Sequence, residues 1–188
     1  MNKATYKFLF LLLFITGFFA YNGLFNPISF KNSITGPYYL VYKNHFGCHK
    51  NADTSREELL VALKSRGISW RSYFNLYFDD IRIVGENNCR SMVGVIVDDL
   101  GYKMITESSL GFGVVTFPQS EVIETTFPYP TFVAPYIAAW RVPSAFDAFL
   151  NGQFKLTGPV LEIQNSSKEE ITFHYPTENI DKIQNLWE

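Results

Sequence analysis

The chain has 188 residues, of which 47% are hydrophobic and 17% aromatic, and its net charge at pH 7 is -2. It has no basic stripe of the kind that neutralises phosphates, so we expect no nucleic-acid partner. Its two cysteines, Cys48 and Cys89, are too few for a disulfide scaffold and lack the CxxC spacing of a zinc site. We therefore expect one self-sufficient domain with no metal ion and no cofactor.

An apolar run at the N-terminus, Phe8–Phe25, predicts a membrane anchor over residues 1–25. At about 1.5 Å per residue, the run is roughly long enough to cross the hydrocarbon core of a bilayer. A cleaved signal peptide is the alternative, but large residues follow Gly17 where a peptidase needs small ones. We therefore expect a retained helix that binds membrane lipid.

The rest of the chain divides by composition into a stem, a domain and a short C-terminal segment. Pro, Ser, Asn and Gly over residues 26–36 indicate the stem. The domain is predicted over residues 37–176, and residues 177–188 form the last segment. Because the aromatic residues of the core are expected beyond Gly36, deletion of residues 1–30 is expected to leave a folded, soluble domain.

The first half of the domain has the pattern strand, helix, strand, strand. Aromatic and β-branched residues mark the strands, and leucines at helical spacing mark the helix. The segments are Tyr38–Phe46, a helix from Thr54 or Ser55 to Gly67, one or two strands within Tyr73–Val84, and Cys89–Val97.

The second half repeats this order. Two strands, Phe112–Pro118 and Glu121–Phe127, form either a hairpin or two consecutive strands. The helical pattern that follows contains Pro143, which predicts a kink or a break near Val142. A pair of strands, Val160–Gln164 and Glu170–Tyr175, closes the domain. The doubled order predicts an α+β fold in which an antiparallel sheet carries two helices on one face.

Several segments resemble the metazoan testis-expressed ER-phagy receptors, single-pass membrane proteins whose body is a gyrase-inhibitor-like (GyrI-like) small-molecule-binding domain. The segments are YNGLF, VYKNHFG, NNCRSMVGVI, GFGVVTFPQSEVIETTFPY and PSAFDAFLNG followed by GPVLEIQ. The resemblance implies two tandem strand-helix-strand-strand modules that form a curved antiparallel sheet. It also implies a ligand cleft on the concave face, away from the helices.

The resemblance does not extend to the tail with which those receptors bind ubiquitin-like autophagy proteins. That tail is long, acidic and disordered and ends in an aromatic-x-x-aliphatic motif, whereas this sequence stops at Glu188. An internal match, Phe78–Ile81, falls in a predicted strand or hairpin, and binding by strand addition needs a free, extended peptide. We therefore interpret it as a turn between strands.

Glu162 is the main candidate for the ligand site. Strand alternation places Leu161 and Ile163 on one face, which we expect to lie against the helices, and Glu162 on the other. In GyrI-like domains a glutamate at this place anchors ligands that are commonly cationic and aromatic, and rings around it supply stacking. The candidate rings are Tyr38, Tyr42, Phe112, Tyr136 and Trp140.

An enzyme is the less favoured interpretation, and we assign no catalytic residue. The three histidines lack HExxH spacing, and no GxSxG motif is present. The sequence therefore predicts a single-pass, membrane-anchored GyrI-like protein that binds a small or amphipathic ligand, or a protein surface, in a concave cleft. The alternatives are an autophagy or ER-phagy adaptor that acts through a partner, and a small-molecule hydrolase that uses Glu162.

Two arguments about the orientation of the domain conflict. Lys3 and Lys7 precede the apolar run, and the positive-inside rule then places the domain outside the cytoplasm or in a lumen, as in a bacterial inner-membrane protein. The resemblance implies an endoplasmic-reticulum protein whose domain faces the cytosol, which we favour. A Cys48–Cys89 disulfide or a glycan on Asn165 would contradict the cytosolic orientation.

Overall fold

The computed structural model describes residues 3–47, 51–107, 111–150 and 158–187. The helices are α1 (Lys3–Tyr21), α2 (Ala52–Ser65), α3 (Ile81–Val84), α4 (Asp99–Thr106), α5 (Ala134–Phe149) and α6 (Ile180–Gln184). The strands are β1 (Lys31–Thr35), β2 (Tyr38–Phe46), β3 (Ser72–Tyr77), β4 (Arg90–Val97), β5 (Gly113–Phe117), β6 (Ser120–Pro128), β7 (Val160–Asn165) and β8 (Glu170–Pro176).

All eight strands form one curled antiparallel sheet in the order β1-β6-β8-β7-β3-β4-β2-β5. The module β2-α2-β3-β4 and the module β6-α5-β7-β8 meet at the central pair, β3 and β7. This arrangement confirms the predicted α+β fold with two tandem strand-helix-strand-strand modules.

Each module also contributes one edge strand to the other module. β1 precedes β2 in the chain but pairs with β6, and β5 precedes β6 but pairs with β2. The hairpin that was one of two possibilities for β5 and β6 is therefore wrong, and the alternative of two consecutive strands is correct. Because the two edge strands are exchanged, the two modules cannot separate without breaking both outer ladders.

Part of the predicted stem belongs to the folded domain. Lys31–Thr35 is a sheet strand, and Phe30 lies 5.3 Å from Phe146 and 6.4 Å from Tyr175 between ring centroids. The expectation that the aromatic core begins only beyond Gly36 is wrong, because this ring packs between α5 and the sheet.

The helix at Pro143 does not break: α5 runs without interruption from Ala134 to Phe149. Proline has no backbone N–H, so the carbonyl of Ala139 loses its usual helical donor. Ala139 and Pro143 both line a cavity on the inner side of the helix, described below.

The helices cover one face of the sheet, and an apolar cluster is buried on part of the other. On the first, here called the helical face, α2 covers one apolar cluster and α5 covers a second. On the opposite face, Leu40, Phe74 and Leu161 belong to a third cluster, which also contains Ile183 and packs against Trp187 near the C-terminus.

Candidate functional site

Glu162 lies on the helical face, in the middle of the sheet. On β7, Leu161 belongs to the cluster of the opposite face, so alternation turns Glu162 toward the helices. The expected assignment of the faces is therefore wrong. Leu161 packs instead in the cluster that contains Ile183 of the C-terminal segment.

The cleft lies where the two modules meet. Two adjacent cavities of about 210 Å³ each share Tyr77, Ala139 and Glu162 as lining residues. The first cavity is largely apolar and extends toward α3, with Trp140, Phe173 and Tyr175 in its walls. The second is more polar and lies between α2 and α5. Glu162 is thus at the junction of an apolar and a polar cavity, although only 4% of its surface is exposed.

Neutral donors hold the Glu162 carboxylate in place. Oε1 accepts hydrogen bonds from Asn75 Nδ2 at 3.1 Å and Gln164 Nε2 at 2.7 Å, and Oε2 accepts one from the Tyr77 hydroxyl at 3.0 Å. A carboxylate has about four lone-pair positions. Among the described residues, Oε2 therefore has one acceptor position left for a donor on a ligand.

Arg56 supplies the nearest buried positive charge. Its Nη2 donates to Asn75 Oδ1 at 2.6 Å, so one amide links the guanidinium to the carboxylate of Glu162. Its Nη1 donates to Asp53, whose side chain is almost fully exposed, and the guanidinium lies 5.4 Å from the ring centroid of Tyr73. Its buried Nε has no hydrogen-bond partner among the described residues.

Tyr77 remains a donor at neutral pH. Burial, the nearby charge of Glu162 and the hydrogen bond to it raise the pKa of Tyr77 well above its ordinary value. The phenol therefore stays protonated and keeps its bond to Oε2, which fixes the carboxylate in one orientation.

The carboxylates in the apolar cavity outnumber the cations. Asp79, Asp80 and Glu162 line it together with Arg82 alone. Arg82 pairs with Asp80, and Asp79 pairs with Arg90 at 2.8 Å. These two ion pairs leave Glu162 as the carboxylate best placed to attract a cation into this cavity.

The structure brings together only part of the predicted ligand-binding set. Trp140 lines the apolar cavity beside Glu162, and Tyr136 lines the polar one. Tyr42, and likewise Tyr38, packs against the cluster of the opposite face, and Phe112 packs against the cluster beneath α2. Neither Tyr42 nor Phe112 lines either cavity of the cleft.

The two cavities at Glu162 are not the largest of the domain, even when the surface of α1 is left aside. An open groove on the opposite face is larger, with a volume of about 430 Å³. That groove is lined by Lys31, Arg71, Glu124, Lys168 and His174, among others.

The segment Phe78–Ile81 is folded. Phe78 is buried in the cluster of the opposite face, and Asp80 caps α3 by accepting a hydrogen bond from the Arg82 backbone N–H. This supports the interpretation of the segment as a turn, since strand addition needs a free peptide.

Sequence reasoning missed Arg56, Asn75, Tyr77 and Gln164. A signal for Arg56 was present, because it lies on the buried face of α2 with Ala52, Leu59 and Leu63, where a charged residue is unexpected. The sequence contains no such signal for Asn75 and Tyr77, because they reach Glu162 only through the pairing of β3 with β7.

Comparison with known proteins identifies two relatives that match most of the chain. No protein-family model matches the chain. Testis-expressed protein 264 of Homo sapiens is 29% identical over 183 residues, which cover 89% of this chain and 54% of the relative. Its Mus musculus homologue is 30% identical over 138 residues, which cover 69% of this chain and 42% of the relative. The chain therefore spans about half the length of the curated relatives it matches.

Solved structures agree on the fold. The C-terminal domain of EcmrR superposes with a TM-score of 0.51 at 11% identity, covering 79% of this chain and 96% of that one. EcmrR in a complex with DNA gives a TM-score of 0.53 at 13% identity, covering 93% of this chain and 67% of that one. At these identities the likeness concerns the fold alone. The relatives support a resemblance to a metazoan testis-expressed protein.

Proposed function

We propose that this chain is a membrane-anchored ligand-binding protein. Its cleft between α2 and α5 takes a small or amphipathic molecule with an aromatic body and a cationic or hydrogen-bond-donating group. The observation that carries the proposal is the buried carboxylate of Glu162 at the junction of an apolar and a polar cavity.

The two cavities would divide the recognition of such a ligand. An aromatic body fits the walls formed by Trp140, Phe173 and Tyr175, where stacking and apolar burial contribute to binding. The cationic group would then meet Oε2 of Glu162, where a charge-assisted hydrogen bond in a partly dehydrated site is stronger than one in water. A neutral molecule of the same shape lacks this second contribution.

We expect Glu162→Gln to weaken the binding of ethidium, a planar aromatic cation, by about 1–3 kcal/mol. This corresponds to roughly a 5- to 150-fold rise in Kd. Binding is measured by fluorescence titration of the full chain in detergent. Phenanthridine, the uncharged parent ring, serves as the neutral probe, and its affinity should change far less.

Glu121→Gln is the matched control, because Glu121 is an exposed glutamate on β6. It removes the same charge and should leave ethidium binding unchanged. Thermal unfolding of each variant separates a loss of binding from a loss of fold. Equal affinity of wild type and Glu162→Gln for ethidium would exclude Glu162 as the cation anchor.

The proposed anchor is α1. Among the described residues, it is the helix that is long and apolar enough to cross a membrane. Its most apolar stretch has a mean hydropathy of 1.6, and none of that stretch is buried. At about 1.5 Å per residue its 19 residues extend roughly 28 Å, close to the hydrocarbon thickness of a bilayer.

The resemblance to the ER-phagy receptors implies a domain that faces the cytosol, whereas Cys89 is disulfide-bonded in the structure, the state favoured by an oxidising compartment. The cysteines provide the test. The backbone N–H of Gly47 donates to the carbonyl of Cys89 at 2.8 Å, so the end of β2 lies beside the start of β4. Cys48 itself lies outside the described residues. Mass spectrometry of protein from the native host decides between the two orientations. Reduced thiols and an unmodified Asn165 would support a cytosolic domain, whereas a Cys48–Cys89 disulfide or an Asn165 glycan would contradict it.

An ER-phagy adaptor that acts through a partner is the second candidate. The observation that favours it is the similarity to testis-expressed protein 264 over 89% of this chain. Co-isolation with ubiquitin-like autophagy proteins would distinguish it from a protein that binds small ligands alone.

A further inference from the structure

Large aromatic side chains are exposed along the outer edge of the Glu162 cleft. Phe132 precedes α5 and is 78% exposed, and Tyr136 and Trp140 lie on α5 and are each 69% exposed. Tyr136 and Trp140 are four residues apart and therefore lie on one side of α5, and Phe132 lies four residues earlier in the turn before the helix. Together they form a surface that we call the aromatic ridge. Water-exposed apolar surface of this size indicates a contact with another surface.

The same part of the domain holds the end of α1. Asn22 is fully buried, and its side-chain oxygen accepts a hydrogen bond from Thr131. A Cβ on Gly23 would lie 2.7 Å from Pro128, so the chain leaves α1 in close contact with the domain. The junction is therefore packed against the domain and does not act as a loose tether.

α5 runs alongside this junction. Arg141 Nη1 donates to the carbonyls of Gly23 at 2.6 Å and Asn26 at 2.8 Å, while Thr131 contacts Asn22. Thr131 and Arg141 are ten residues apart, or roughly 15 Å along a helix. The segment after α1 thus lies alongside the first two turns of α5. The aromatic ridge begins at Phe132, one residue after Thr131.

We propose that the aromatic ridge lies in the headgroup layer of the bilayer that α1 crosses, so that the Glu162 cleft opens at the membrane surface. The proposal rests on the proposed function of α1 as an anchor. Tyr and Trp favour this layer, because their rings bury an apolar body and keep a polar edge hydrated. Tyr21 and Phe25, on either side of the α1 junction, are also exposed aromatic residues.

The position of the ridge specifies how a ligand reaches Glu162. Tyr136 lines the polar cavity and Trp140 the apolar one, so these residues form both the outer surface and the cleft wall. A molecule dissolved in the headgroup layer would then enter the cleft without first crossing the aqueous phase. The ligand class that fits is an amphipathic cation that partitions into membranes.

The test uses the tryptophan fluorescence of the full chain in phosphatidylcholine vesicles. The lipid is brominated at the headgroup end of its acyl chains, and bromine quenches fluorophores that it contacts. We expect brominated lipid to quench most of the emission that Trp140 contributes. Trp140→Phe should abolish this quenching, because Trp187 packs against Phe46 and Phe78 on the opposite face and Trp70 packs beside Lys64 and Tyr73.

The possible outcomes separate the two proposals. If the chain floats with the vesicles but its emission is quenched equally with and without Trp140, or not at all, the ridge does not contact lipid and the anchor still stands. If the chain does not float with the vesicles, the anchor is wrong, and the position of the ridge at the membrane is wrong with it.

Discussion

A chain that begins at Asn22 should unfold cooperatively, whereas a chain that begins at Lys31 should lose at least about 3 kcal/mol of unfolding free energy. The shorter chain lacks the partly buried side chains of Leu24, Ile28 and Phe30, whose combined loss takes the place of the roughly 3–5 kcal/mol that truncation of one fully buried phenylalanine costs. Urea denaturation of the two chains, followed by tryptophan fluorescence, measures the difference.

The segment 22–30 packs against the core beneath α5. Leu24, Ile28 and Phe30 all contact that cluster, and the Phe30 ring centroid lies 5.0 Å from that of Phe149. Deletion also removes the carbonyl acceptors of Arg141. The second module therefore loses a side of its core as well as a linker.

Phe30→Ala in the chain that begins at Asn22 is the matched control. It keeps the backbone contacts and removes only the ring. Its unfolding free energy should therefore lie between that of the chain that begins at Asn22 and that of the chain that begins at Lys31. Equal stability of the chains that begin at Asn22 and Lys31 would show that the segment is a stem, as its composition indicates.

The local pattern of the sequence was sufficient to predict the order of β2–β8 with α2 and α5, but not β1, α3, α4 or α6. The aromatic and β-branched segments became strands, and the two helical patterns became α2 and α5. β1 could not be recognised in this way, because KNSIT is polar and its strand character comes from pairing with β6, about 90 residues later in the chain.

The assignment of the faces failed for a related reason. Alternation correctly separated Leu161 from Glu162, but it does not reveal which face the helices cover. That depends on the C-terminal segment, which buries the opposite face through Ile183. The prediction of the polar network around Glu162 was incomplete for the same reason. Glu162 was recognised, but Asn75, 87 residues away in sequence, reaches it only through the pairing of β3 with β7.

Arg56→Met should have opposite effects on stability and on cation binding. Arg56 is buried, and its loss leaves Asn75 Oδ1 without its donor and Glu162 without its nearest buried counter-charge. Removal of one partner from a buried charged network costs about 3–5 kcal/mol. The same change removes a positive charge from the wall of the polar cavity, so the affinity for ethidium should rise.

A double-mutant cycle with Glu162→Gln tests whether the two charges are coupled. With the carboxylate neutralised, the guanidinium has no buried charge to balance, and Arg56→Met should then cost less than it does in the wild type. Coupling between residues of one network is about 0.5–3 kcal/mol, whereas independent sites add within about 0.3–0.5 kcal/mol. Additive costs, or weaker ethidium binding by Arg56→Met, would show that Arg56 supports the packing of α2 and does not set the charge of the cleft.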